Sequence, residues 1–299
     1  MRKLLLVIVL TLFSVLYFPF VSAKDVEVSL YLLNIGRFDI ATGAFTADFY
    51  LHFKCKSYCE PQKFEFVNGR ATKIDIIEDK LDSKFYRIEA TLHSPADLRQ
   101  FPFDEQEIKI ILEDTKTTIE DLVYVPMLEE SGVDDSIAFP GWDIKGWNAE
   151  AKNHYYPVYN ETYSQYIFTV TISRIPLSSF IKTFLPVLLI LLIVLFSLLL
   201  GTAHIPEILA MSGSSLIATV MFHISISNQI PPIGYLTFAD KFMIVTYIII
   251  LTTFVINTFM LGLIEKKKIK LADTIHKYAK YNIFIMAVLL FIILFVFFL

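Results

Sequence analysis

Apolar and polar residues follow different patterns in the two halves of the chain. Residues 24–175 alternate apolar and polar positions in short runs separated by turn residues, as in residues 26–32, 45–51 and 166–172. Such alternation is typical of half-buried strands, and closely spaced runs predict an antiparallel β-sandwich of the immunoglobulin type. Residues 176–299 instead hold most of the long continuous apolar runs, which are typical of membrane helices. The two predicted domains meet near Arg174.

Four apolar runs in the second half predict four membrane helices, at about residues 176–200, 206–228, 238–263 and 281–299. Pro186 lies within the first, where a helix tolerates it if neighbours satisfy the freed carbonyl. Lysines cluster between the third and fourth runs and predict a cytoplasmic loop there; they are Lys266, Lys267, Lys268, Lys270, Lys277 and Lys280. We therefore expect a multi-pass protein of the plasma or inner membrane with the sandwich and the C-terminus outside.

The start of the chain has the pattern of an export signal. Arg2 and Lys3 precede an apolar run that ends in Val21-Ser22-Ala23, which predicts a signal peptide over residues 1–23 and a mature chain from Lys24. The alternative is an uncleaved membrane helix, because the run is long for a signal core. Either interpretation exports the sandwich.

The second membrane run is too polar on one side to face lipid. Steps of three or four residues trace a single helical stripe, which consists of Glu207, Ala210, Ser214, Ile217, Met221, Ile224 and Asn228. One helix cannot enclose water, so the stripe predicts a pore lined by several copies around an axis, with Glu207 as a charged ring and the three apolar residues Ile217, Met221 and Ile224 as a constriction. The alternative is a buried helix whose hydroxyl residues pack against other helices.

Composition and charge favour the same class of protein. The chain is 55% hydrophobic, which exceeds the share in an ordinary soluble domain and indicates a membrane protein. Residues 24–175 carry 16 Lys and Arg against 26 Asp and Glu. An acidic surface of this kind concentrates cations, although it also aids solubility.

The residues that would support other kinds of chemistry are few. Cys55 and Cys59 are the only cysteines, and in an exported domain they predict a small disulfide loop, with free thiols as the alternative. Two cysteines without a nearby partner pair do not make a metal site. Nucleophile-elbow, zinc-protease, phosphate-loop and dinucleotide motifs are absent from the sequence, and its six histidines are scattered. We expect no enzyme, no cofactor, no metal and no nucleic-acid partner.

Five motifs in order resemble the pentameric ligand-gated ion channels, closest to their prokaryotic branch. They are LRQFPFDEQ at residues 98–106, GWDI at 141–144, ISR at 172–174, Pro186, and PPIGY at 231–235. Residues 214–224 are similar to the pore helix of the bacterial proton-gated members. The cysteines that bracket the FPFD loop in animal receptors are absent, since residues 98–112 contain none. The resemblance implies a homopentamer that an agonist or a pH change opens through the sandwich.

The resemblance also implies a coupling interface where the sandwich meets the membrane. Its residues here are Asp39, Phe101, Pro102, Phe103, Asp104, Arg174, Pro231, Pro232 and Tyr235. An arginine at this boundary needs a carboxylate, because its desolvation otherwise costs several kcal/mol. Asp104 is the partner that the resemblance implies, and Asp39 is a second candidate. The alternative is three independent, solvated charges.

The agonist is not apparent from the sequence. Residues 155–163 fall where the family has its capping loop, and four tyrosines there are candidates for a cage around a cationic amine: Tyr155, Tyr156, Tyr159 and Tyr163. The alternative is a hairpin tip that packs on a neighbouring subunit. Gly43 stands where the proton-gated relatives carry an acidic residue, so a proton, alkaline pH, an amine and a divalent ion remain options.

Glu207 indicates the direction of selectivity. A ring of carboxylates at the inner mouth favours monovalent cations over chloride. The competing hypothesis is a non-conducting membrane receptor or adhesion module, which has no need of Glu207 or of the polar stripe.

Overall fold

A computed structural model describes residues 24–56 and 63–298, and the predicted signal peptide and Cys59 lie outside the described residues. Ten strands in the described residues form two sheets. The strands are β1 (Lys24–Ile35), β2 (Ala44–Cys55), β3 (Phe64–Phe66), β4 (Gly69–Asp79), β5 (Ser83–His93), β6 (Glu105–Asp114), β7 (Leu122–Pro126), β8 (Gly132–Val133), β9 (Trp142–Tyr156) and β10 (Glu161–Arg174). The larger sheet has the order β4-β5-β2-β1-β7 with β8 beside β1, and the smaller sheet has the order β3-β6-β10-β9.

The sandwich core follows the alternation seen in the sequence. In β2, every second side chain from Phe45 to Phe53 is buried between the sheets, while the side chains that alternate with them lie nearer the surface. Burial of one such phenylalanine side chain stabilises the fold by about 1.5–3 kcal/mol. Cys55, at the end of β2, is disulfide-bonded.

Two strand pairs depart from the antiparallel prediction. β1 pairs in parallel with β7 and with β8, whereas its pairing with β2 is antiparallel. The chain crosses from the smaller sheet to the larger one after β6 and does not return by a hairpin, so β7 arrives in the same direction as β1. Local alternation carries no information on this crossing.

Five helices follow the sandwich: α1 (Pro176–Thr183), α2 (Leu185–Ser197), α3 (Ile205–Ser227), α4 (Phe238–Glu265) and α5 (Ile269–Phe298). Three helical stretches among the described residues, residues 202–227, 238–265 and 269–297, are long and apolar enough to cross a membrane. Together α1 and α2 make a possible fourth span, bent by 47°.

The first predicted span is therefore two helices and not one continuous helix from 176 to 200. The break falls at Phe184, two residues before Pro186. Proline donates no backbone hydrogen bond, and its ring clashes with the carbonyl of the residue four positions earlier, here Lys182. The backbone bends at that point.

The last helix begins at Ile269, well before the predicted residue 281. Its first turns bury a narrow face that includes Ala272, His276 and Ala279, while Lys270 and Lys277 are exposed. Hydropathy underestimates such a half-buried segment because the exposed lysines dominate the average. Three of the six lysines predicted to lie in a loop, Lys270, Lys277 and Lys280, thus lie on α5.

Candidate functional site

All seven stripe residues are exposed on one side of the single subunit, six of them in α3 and Asn228 directly after it. The apolar members are widely exposed, with 67% of Ile217, 63% of Met221 and 51% of Ile224 accessible. The opposite face packs inside the subunit, and two of its hydroxyls bond within the helix: Ser212 Oγ donates to the Ile208 carbonyl and Thr219 Oγ1 donates to the Ser215 carbonyl, both at 2.8 Å. The serines and threonines that pack between helices are therefore not those of the stripe.

Glu207 occupies the first turn of α3, directly after Pro206. A carboxylate at this position interacts favourably with the positive end of the helix dipole. His204 Nδ1 lies 3.9 Å from Glu207 Oε1, and both side chains are more than half exposed. The carboxylate is thus presented to solvent at one end of the stripe.

Arg174 and Asp104 meet at the boundary between the sandwich and the helices. Arg174 Nε donates to Asp104 Oδ1 at 2.6 Å, and only 1% of the Asp104 side chain is exposed. Gln106 Nε2 donates to the other carboxylate oxygen at 2.7 Å. The guanidinium carbon lies 4.9 Å from the ring centroid of Phe101 and 4.5 Å from that of Trp142, close enough for cation–π attraction.

Asp39, the second candidate partner of Arg174, forms its hydrogen bonds within the β1–β2 turn instead. Its carboxylate accepts hydrogen bonds from the Ala41 amide and the Thr42 hydroxyl, both at 2.9 Å. These hydrogen bonds lower the pKa of Asp39, and the one from the Ala41 amide has the largest effect. The carboxylate thus stabilises the β1–β2 turn.

Residues 98–104, which we name the base loop, lie on the start of α4. The amides of Phe238 and Ala239 donate to the carbonyls of Arg99 and Phe101 at 2.9 and 3.0 Å. These amides have no partner within their helix, so the loop satisfies them. The Phe103 ring lies 5.7 Å from that of Phe184 at the bend of the first span. The base loop therefore contacts two membrane helices directly.

The connector between α3 and α4 makes a further contact with the base loop. Tyr235 Oη accepts a hydrogen bond from the Leu98 amide at 3.0 Å, and the Arg99 guanidinium lies 5.8 Å from the Tyr235 ring centroid. Pro231 is partly buried and Pro232 is exposed in the same connector. Tyr235 is thus a connector residue that reaches the sandwich.

The four candidate tyrosines divide into two groups around the β9–β10 hairpin. Tyr156 and Tyr163 pack edge to face, with ring centroids 5.7 Å apart. Tyr155 donates to Asn160 Oδ1 at 3.1 Å, and Tyr159 is largely exposed at the tip. The hydrogen bond to Glu161 raises the pKa of Tyr163 to about 12. Of the four tyrosines, only Tyr156 and Tyr163 are in ring contact with each other.

Glu113 is a member of this cluster that sequence reasoning missed. It is buried, and it accepts hydrogen bonds from Tyr156 Oη at 3.1 Å and from Gln165 Nε2 at 2.7 Å. Burial, and then the Glu113 charge, raise the pKa of Tyr156. Glu113 lies one position out of step with the inward face of β6, so alternation gives no signal for it. No group of three or more potential metal ligands occurs among residues 24–56 and 63–298.

Comparison with known proteins shows a similarity in sequence to one curated protein. No family model matches the chain. Over 162 residues it is 28% identical to a curated protein named proton-gated ion channel, from Gloeobacter violaceus. The match covers 54% of this chain and 45% of that protein, so the chain spans less than half of its relative's length. Together with the apolar helices, this similarity to an ion channel indicates a multi-pass membrane protein.

Proposed function

We propose that the chain forms a homopentameric ligand-gated channel that conducts monovalent cations. The observation that carries the proposal is the exposed stripe of α3, with Glu207 at one end and Asn228 at the other. A face with such residues at its ends does not suit lipid, and copies around an axis turn it toward water. The likeness to a proton-gated ion channel supports this assignment.

Ile217, Met221 and Ile224 are the proposed gate. None offers a permeant ion a strong hydrogen-bonding group, since two are hydrocarbon and Met221 adds only a thioether, and each is more than half exposed on the stripe. A narrow apolar ring blocks ions by losing its water, without complete steric occlusion. Glu207, at the cytoplasmic mouth in the proposed orientation, attracts cations to the pore.

The agonist site proposed here is the tyrosine cluster at the β9–β10 hairpin. Aromatic faces and a carboxylate suit a cation, and Tyr156, Tyr163 and Glu113 combine these groups within one cluster. A change of pH is the other proposed trigger. The signal then passes to the helices through the base loop, which Arg174 holds by way of Asp104.

Reversal potentials in planar bilayers under an NaCl gradient test the proposal. We expect the unmutated protein to reverse near the sodium potential, and we expect Glu207→Gln to lower the conductance and weaken the preference for cations. Glu265→Gln is the matched control, because Glu265 is an exposed acid at the last residue of α4, an end that is cytoplasmic in the proposed orientation, and lies outside the stripe. Reversal at the chloride potential overturns the selectivity, and a protein that passes no current at any external pH favours the non-conducting receptor.

A further inference from the structure

His223 makes polar contacts that cross from α3 to α4. Its Nδ1 lies 3.0 Å from Tyr247 Oη and its Nε2 lies 3.0 Å from Asp240 Oδ1. Both ring nitrogens are therefore engaged by side chains of α4. The His223 side chain is 25% exposed and that of Asp240 is 18% exposed, so the pair is largely shielded from water.

Buried hydroxyls elsewhere on these two helices behave differently. Four of them donate to a carbonyl one turn earlier in their own helix: Ser212, Thr219, Thr246 and Thr253. Such bonds move with their helix when it tilts. The contact between His223 and Asp240, in contrast, must stretch or break if the outer part of α3 moves away from α4.

Asp240 is also part of the structure on which the base loop docks. Its Oδ2 accepts hydrogen bonds from the Thr237 amide and hydroxyl, both at 2.8 Å, and the Asp240 amide donates back to Thr237 Oγ1 at 3.1 Å. The two residues between them, Phe238 and Ala239, are those whose amides the base loop caps. One carboxylate therefore joins the docking site of the sandwich to a residue of the stripe-bearing helix.

We propose that the contact between His223 and Asp240 is the positioning contact through which the base loop sets the balance between closed and open pores. The proposal rests on the proposed channel function. Loss of a hydrogen bond to a charged group changes an equilibrium roughly ten- to a hundredfold. His223 faces α4, so this change should appear in the open probability and leave the single-channel conductance unaltered.

Single-channel recording from full-length protein in planar bilayers, scanned over external pH, tests the contact by a double-mutant cycle. His223→Phe keeps a ring without hydrogen bonds, and Asp240→Asn keeps an acceptor for Thr237. We expect each variant to shift the closed–open equilibrium roughly ten- to a hundredfold and the double variant to shift it no further than the larger single one. If the fold-changes of the two single variants multiply in the double variant, the two side chains act independently and the proposal is overturned.

Two further variants distinguish a positioning role of His223 from a general role in stabilising the helices. His223→Gln retains a donor for the carboxylate, so its closed–open equilibrium should shift by less than half as much as that of His223→Phe. His223→Gln also tests the contact if His223→Phe does not assemble. Ser227→Ala is the matched control, because its hydroxyl bonds only to the His223 carbonyl of the same helix, at 3.0 Å. A Ser227→Ala shift as large as that of His223→Phe, or no rescue by His223→Gln, overturns the positioning role. If the parent conducts and the cycle is additive, this inference fails while the channel function stands; a silent parent counts against the channel itself.

Discussion

Replacing Asp104 with alanine removes the carboxylate that faces the Arg174 guanidinium at the domain boundary. Only 18% of the Arg174 side chain is exposed, and its buried Nη2 atom has no hydrogen-bond partner among the described residues. Removing one partner of a buried ion pair costs about 3–5 kcal/mol, because the other charge stays buried and uncompensated. Gln106 loses an acceptor in the same step.

The assay is thermal unfolding of the purified full-length protein, followed by intrinsic fluorescence. For a domain of the size of residues 24–175, a loss of about 3–5 kcal/mol lowers the melting temperature by about 6–20 °C. Asp97→Ala is the matched control: Asp97 belongs to the segment just before the base loop, and 59% of its side chain is exposed beside Arg99. Its loss should cost no more than about 1 kcal/mol.

A second substitution separates the ion pair from loss of packing. Arg174→Met keeps much of the side-chain volume between Phe101 and Trp142 but removes the charge. In the double variant neither charge remains buried, so we expect it to be clearly more stable than the two single losses add up to. The ion pair would be refuted if Asp104→Ala had the same melting temperature as the Asp97→Ala control. It would also be refuted if the stability losses of Asp104→Ala and Arg174→Met simply added in the double variant.

Two further expectations concern the proposed gate and the pH dependence of stability. Ile217→Ser should hydrate the apolar ring and raise spontaneous opening, whereas Val220→Ser, 41% exposed but off the stripe, should not; equal leak from both would remove the gate from Ile217. Burial, and then Lys54, lower the pKa of His52 below its ordinary value of 6.5, so its contribution to folding is complete above about pH 6.5 and is lost as the pH falls through the lower folded-state pKa. The melting temperature should therefore fall between about pH 7.5 and about pH 5 by less in His52→Gln than in the parent, and an identical fall in both would contradict this account.

Local pattern determined much of this protein. Alternation along β2 gave the strand and its buried face, because successive side chains of a strand point to opposite sides. Helical spacing from Glu207 to Asn228 predicted one face of α3, and those residues do share an exposed face, because 3.6 residues per turn is a property of the backbone itself. The base loop and Arg174 were found as ordered motifs, and that route required a resemblance in addition to local physics.

Tertiary structure decided the features that depend on residues far apart in the chain. The early start of α5 follows from a narrow face that only neighbouring helices bury, whereas the bend at Phe184 has a local cause in Pro186. The contacts of Glu113 with Tyr156 and of His223 with Asp240 join residues 43 and 17 positions apart. Nothing in the local periodicity of either segment specifies its partner, since a hydrogen bond between elements depends on how those elements dock and on which side chains the docking leaves without water.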